Sequence, residues 1–226
     1  MGPTSSRPSR RKTARPLGRP PAAESAETRE RILGAARSCF AELGYASTTN
    51  RDIGERAGLT AGAIYHYFDS KDELFGAVTE QVVTRIFSEF DRVLEESSSF
   101  VDRVRGLLDI AIELHREDAS LARFSTVYPV ELLRHKDLAD RVPAELWGRG
   151  LGFFHQLAQD AADAGELQPD VSPGAVANML LSITTGLAHF ATLDEGLEEH
   201  TAAVLVVERL FAGTLVDQRA AAASAP

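Results

Sequence analysis

The sequence predicts an all-α protein, and three observations carry that prediction. From Ser25 almost to the end, apolar residues recur at spacings of three and four; Ile32, Ala36, Phe40 and Leu43 share one helix face in this way. No alternating β-branched run of strand length occurs. The chain is also punctuated by helix-starting Ser or Thr at 49, 60, 70 and 172, and by helix-stopping Gly at 44, 58 and 165.

The elements follow from that punctuation. Ser25 is a plausible cap with Glu27 in the first turn, and Gly44 suits the left-handed residue that ends the helix. Thr49 with Asp52 forms a capping box opening a short helix over 50–57. Thr60 caps another over 61–68. Ser70-Lys-Asp-Glu73 repeats the capping box at the head of a long helix, which the serines at 97–99 end near Glu96. Beyond it, helices are predicted at 100–116, 118–127, 130–136, 144–164, 173–193 and 198–217, with Ser172-Pro173 in the cap-then-proline order. The spacing divides the chain into a basic arm (1–24), a small helical unit (25–75), a larger helical body (76–218) and an alanine-rich tail (219–226). The arm and the tail hold too little apolar bulk to order on their own.

The two short helices meet the geometric needs of a helix-turn-helix. Gly54 is small where the helices cross, Gly58 four residues later tolerates the turn, and Ile64 anchors the second helix from below. With Ile53, Ala57, Leu59 and Phe68 added to that apolar seam, the outward face carries Thr60, Ala61, Gly62, Tyr65 and His66, with Tyr67 and Lys71 just beyond. Gly62 costs about 1 kcal/mol of helix stability relative to Ala, and its missing side chain permits close approach to a surface. Tyrosine hydroxyls and Lys71 suit phosphate oxygens, and Arg51 reaches base edges or phosphate from the preceding helix. The competing reading makes the tyrosines packing residues. Ile64 and Phe68 already fill the core face, which leaves Tyr65 and His66 outside.

The stretch TRERILGAARSCFAELGYASTTNRDIGERAGLTAGAIYHYFDSKDELF, residues 28 to 75, resembles the DNA-binding domain of the TetR family of bacterial repressors, including its Tyr-His-Tyr-Phe ending and the Ser-Lys that follows. The resemblance implies that Thr49, Arg51, Thr60, Ala61, Gly62, Tyr65, His66, Tyr67 and Lys71 lie at DNA. It also implies a second domain with a cavity for a small hydrophobic or amphipathic effector, for which the candidates are Phe87, Leu107, Ala111, His115, Phe124, Tyr128, Trp147, Phe154 and Met179.

The last two helices carry apolar stripes that read as a homodimer interface. Val176, Leu180, Ile183, Leu187 and Phe190 form one, and Leu205, Val206, Arg209, Leu210 and Gly213 the other. Family members pair these helices into a four-helix bundle, and a two-fold dimer reads a near-palindromic operator in double-stranded DNA.

A net charge of −9 argues against nucleic acid only if it is evenly spread. Residues 1–23 contain Arg7, Arg10, Arg11, Lys12, Arg15 and Arg19 and no acid. This makes a basic tip on an acidic body. Gly18-Arg19-Pro20 resembles the core of an AT-hook, with Leu17 where an arginine is usual, so Arg19 is a candidate for the minor groove. The single cysteine, Cys39, excludes an internal disulfide framework, and scattered histidines offer no metal-ligand spacing. No metal, cofactor or catalytic constellation is expected. The absence of a secretory leader and of a uniformly apolar run of about 18 residues predicts a cytoplasmic protein with no membrane partner. The expected function is a ligand-responsive transcriptional regulator. The alternative is an architectural DNA-binding protein driven by the arm.

Overall fold

The computed structural model describes residues 21–193, 197–211 and 213, and these contain helices and no β-strand. The helices are α1 (Pro21–Ser47), α2 (Asn50–Ala57), α3 (Ala61–Ile64), α4 (Lys71–Glu96), α5 (Phe100–Glu117), α6 (Ala119–Arg134), α7 (Lys136–Ala139), α8 (Ala144–Asp163), α9 (Pro173–Ala191) and α10 (Glu198–Leu210). Arg19 and the rest of the basic arm lie outside the described residues, as do 194–196, 212 and everything after Gly213.

Local hydrogen bonding explains where most helices begin. Thr49 Oγ1 accepts from the Asp52 N–H while the Asp52 carboxylate accepts from the Thr49 N–H at 2.9 Å. At α4, Ser70 Oγ accepts from the Glu73 N–H at 3.1 Å, and the Glu73 carboxylate accepts from the Asp69 N–H at 2.6 Å. Ser99, Asp118 and Ser172 cap α5, α6 and α9. Each such cap stabilises its helix by about 1 kcal/mol.

Four departures from expectation have physical causes. α1 begins at Pro21 rather than Ser25, because proline is pre-set for the first helical position and Ala22, Ala23 and Glu24 continue it. Its apolar face also ends earlier than expected, since Leu43 is 49% exposed. α3 is a single turn. Its continuation uses tighter bonds, from the His66 N–H to Ala63 O and from the Tyr67 N–H to Ile64 O, so that Phe68 drops into the core before Ser70 starts α4. α6 passes through Pro129 as one helix where two were expected. Proline removes one backbone donor, but packing of α6 on α1, α5 and α9 holds it straight enough to continue.

α9 bears on the membrane expectation without overturning it. It is long and apolar enough, by length and composition alone, to cross a bilayer, with 22% of that window buried inside the chain. Asn178, Ser182 and Thr185 lie exposed on it, so its outer face is not uniformly apolar.

The buried residues form one continuous cluster from Ile32 to Phe211. Aromatic rings run through its centre. Phe40 and Tyr45 of α1 meet Phe75 of α4 at centroid distances of 5.1 and 5.4 Å, Phe75 meets Phe124 of α6 at 5.3 Å, and Phe124 stacks on Tyr128 at 5.9 Å.

The helix-turn-helix rests on two glycines. Gly58 sits at φ 67° and closes α2 in the left-handed conformation. At Gly54 a Cβ would lie 2.8 Å from the Leu59 carbonyl oxygen and 3.2 Å from the Ala61 nitrogen. Both neighbours are backbone and cannot rotate away. Gly54→Ala is therefore expected to destabilise the protein by about 1–3 kcal/mol, seen as a lower midpoint in urea unfolding. A wild-type midpoint would show that the crossing has slack.

Candidate nucleic-acid interface and internal cavity

The short helices present two kinds of surface. Thr49 and Thr60 are exposed and cap α2 and α3. Arg51 is exposed and its Nε lies 2.9 Å from Glu55 Oε1, a solvated pair that gives way readily to a stronger anion. Tyr65 is 58% exposed, and His66 is exposed beside it. Gly62 is exposed too, and a Cβ there would meet nothing nearer than Thr60 Oγ1 at 3.9 Å. Neither internal packing nor backbone conformation calls for glycine at that position.

Three of the expected contact residues sit differently. Ala61 is half-buried, and Tyr67 packs against the core cluster. Lys71 turns inward: its Nζ donates to Tyr45 O at 2.9 Å and Thr48 O at 3.0 Å and lies 4.4 Å from the Tyr45 ring centroid. Burial pulls its ammonium below the usual lysine range. Lys71 thus satisfies the carbonyls at the end of α1, and two of its three protons are committed there. The Tyr45 hydroxyl donates to Asp72, and burial followed by that carboxylate raises it above the ordinary phenol range.

A second clamp joins this unit to the body. Arg37 of α1 donates from Nε to Ser120 Oγ at 2.7 Å and from Nη1 to Gln81 Oε1 at 3.1 Å, and it pairs through Nη2 with Asp118. One guanidinium therefore bridges α1, α4 and the N-terminus of α6. At the other end of α6, the buried Glu131 carries an oxygen that would lie 3.2 Å from a Cβ at Gly44, and its carboxylate lies 3.3 Å from His135 Nε2. Cys39, the lone thiol, is buried in the same region, and its burial pushes it up from the ordinary thiol range.

Within the body, a cavity of about 160 Å³ opens between α4, α5, α6, α8 and α9. Four of the residues expected at an effector site line it: Phe87, Ala111, Tyr128 and Phe154. His115 lines a separate void of about 20 Å³, where burial and the nearby Arg123 hold its imidazole below the usual histidine range. Leu107 lines another of about 10 Å³. Phe124 is fully buried between Phe75 and Tyr128, and Met179 packs on the core cluster; neither borders these spaces. The Trp147 side chain lies outside the described residues. The main cavity also takes in Val83, Ile86, Phe90, Ser125, Pro129, Gly150, Leu181, Thr184 and Thr185, none of which stood out in the sequence. The readable signal for some of them was a hydroxyl or a proline inside an otherwise apolar helix.

The expected dimer stripe on α9 is corrected in part. Val176 and Leu180 are 2% and 3% exposed and face their own core, and Ile183 and Leu187 pack against it. Periodicity identifies a stripe but not the surface it meets; Leu180 and Ile183 border Leu107 of α5 and Phe154 of α8. Phe190, Leu205, Val206, Arg209, Leu210 and Gly213 are exposed, as are Leu151 and Leu193.

Two short helices crossing at a glycine, fronted by exposed threonine, tyrosine, histidine and arginine and carried on a larger helical body with an internal cavity, define a helix-turn-helix DNA-binding regulator. Residues 32–78 match the model for bacterial regulatory proteins of the tetR family. The transcriptional regulator UidR of Escherichia coli (strain K12) is 29% identical over 168 residues, which is 73% of this chain and 81% of UidR. Salmonella enterica GusR has a TM-score of 0.65 at 28% identity, covering 85% of this chain and 97% of GusR. SmeT, the repressor of the Stenotrophomonas maltophilia multidrug efflux pump SmeDEF, has a TM-score of 0.63 at 27% identity, covering 85% of this chain and 92% of SmeT. Residues 32–78 therefore carry a tetR-family helix-turn-helix DNA-binding domain, and the chain is similar over most of its length to regulators built on one.

Tyr65 is exposed and fixes nothing in the core, so Tyr65→Ala is expected to weaken operator binding at least tenfold in a fluorescence-anisotropy titration, by loss of about 1.4 kcal/mol or more, while the thermal midpoint stays unchanged. A fallen midpoint with intact DNA affinity would make Tyr65 a packing residue.

Proposed function

We propose that the protein is an effector-released repressor that binds a near-palindromic operator as a homodimer. In this reading, residues 25–75 form the DNA-binding unit and 76–218 the effector-binding and dimerisation domain. Thr49, Arg51, Thr60, Gly62, Tyr65 and His66 contact DNA, with α3 at the major groove and phosphate oxygens taken by the hydroxyls. The exposed apolar residues of α9 and α10 pair with their copies in a second subunit. Such a protein acts in the cytoplasm, where its operator is.

The observation that carries the reading is the double role of α6. Ser125, Tyr128 and Pro129 line the cavity, while Ser120 and the Asp118 cap hold Arg37 of α1 and Phe124 continues the ring contacts to Phe75. A molecule that enters the cavity and prefers a shifted α6 therefore bears directly on the helix that supports the helix-turn-helix. α4 runs from the same unit past the cavity through Val83, Ile86, Phe87 and Phe90 and serves as the second lever. Release requires the effector to bind the DNA-incompetent arrangement more tightly.

Selection of bound sites from a random DNA pool by the full chain at physiological salt tests the first half of this reading. Enrichment of one palindrome with half-sites about one helical turn apart is expected. Unphased A·T-rich DNA would instead favour the arm-driven architectural alternative. For the second half, Arg37→Ala is expected to bind operator but to need about fivefold or more effector for half-release. An unchanged effector response would remove the clamp from the coupling route.

A further inference from the structure

The main cavity has a polar layout that is more specific than its apolar walls. No charged side chain lines it among the described residues. Arg149, whose guanidinium lies 5.4 Å from the centroid of the lining Phe87 ring, is already held by Asp91 at 2.9 Å. Burying an ion against such walls without a partner is strongly unfavourable. The site therefore selects against carboxylates, phosphates and amines.

Its hydroxyls are not equivalent. Ser125 Oγ donates to Ala122 O at 2.7 Å and Thr184 Oγ1 donates to Leu180 O at 2.8 Å. Their protons are committed to backbone, so both oxygens face a ligand as acceptors. Pro129, which also lines the cavity, has no N–H to give the Ser125 carbonyl one helical turn back, and this adds another acceptor. Thr185 also lines the cavity but is exposed to solvent, whereas Tyr128 is half-buried. Its ring is fixed by stacking on Phe124, and among the described residues its hydroxyl makes no hydrogen bond. Burial pushes that hydroxyl above the ordinary phenol range, so it stays protonated and available as a donor at neutral pH.

We infer that the cavity takes an uncharged, largely apolar molecule about one ring in size whose hydrogen-bond acceptor, a carbonyl or ether oxygen, receives the Tyr128 hydroxyl proton. This rests on the cavity being the effector site proposed above. The size follows from the volume: a dry cavity of roughly 150 Å³ holds one benzene ring, and this one measures about 160 Å³. A hydroxyl elsewhere on the molecule finds acceptors at Thr184 Oγ1 and around Ser125.

Isothermal titration of the full chain, without DNA, with acetophenone, ethylbenzene and benzoate tests the assignment. The three share a ring and a similar size and differ in carrying a neutral acceptor, no polar group, or a charge. Acetophenone is expected to bind about tenfold more tightly than ethylbenzene, and benzoate not measurably at the same concentrations. Tyr128→Phe keeps the stacked ring, and it should bring acetophenone down to the ethylbenzene level while leaving ethylbenzene unchanged. Benzoate binding as well as acetophenone, an unchanged acetophenone affinity in Tyr128→Phe, or no binding by any of the three would each overturn the inference. The regulatory reading fails separately: acetophenone that binds in the expected way but does not weaken operator binding leaves the ligand class standing and removes the cavity from control of DNA.

Discussion

Phe75 is the side chain on which the two halves of this protein meet. It is fully buried, and it touches Phe40 and Tyr45 on the DNA-binding side and Phe124 on the side of the body. Because protein interiors are close-packed, rings in such contact cannot slide independently. Phe124 in turn stacks on Tyr128, which lines the cavity. A single aromatic column therefore joins the base of the helix-turn-helix to the wall of the cavity, and the Arg37 clamp runs beside it. The division of the chain at residue 75 falls inside α4, so that helix is shared by the small unit and the body.

That shared core explains the use of Lys71. A lysine just after a recognition segment is well placed for phosphate, yet here its ammonium closes the end of α1 through Tyr45 O and Thr48 O and lies over the Tyr45 ring. Tyr45 binds Asp72 in return. The start of α4 and the end of α1 are thus locked in one network, and the exposed surface of α3 consists of short or absent side chains around Gly62 together with Tyr65 and His66.

The cavity and the outer faces of α9 and α10 show two uses of apolar residues that composition does not separate. Phe87, Phe90 and Phe154 are apolar and turned inward, around a space in which one phenol hydroxyl makes no hydrogen bond among the described residues. Phe190, Leu205 and Val206 are equally apolar and turned outward to solvent. Val176 and Leu180, on the same helix as Phe190, belong to the first group. One helix thus serves the core with one face and has the other free for association.

How much of this was legible follows from the range of the interactions involved. The helix starts at Thr49, Thr60, Ser70 and Ser172, the left-handed turn at Gly58 and the close crossing at Gly54 were readable in the chain, because each depends on groups within about seven positions of one another. The family match at residues 32–78 falls in this locally determined part. The inward turn of Lys71, the passage of α6 through Pro129, the inward face of α9 and the membership of Ser125, Thr184 and Gly150 in one cavity were not. These depend on which helices pack together: α1 on α6, α6 on α9 and α8 on α9. By itself, then, the sequence determined the helices and the DNA-facing motif, since backbone capping and turn conformation are short-range. Only the tertiary structure decided which apolar stripe is core, which is surface and which lines a void, because burial belongs to a residue's neighbours in space and not to its position along the chain.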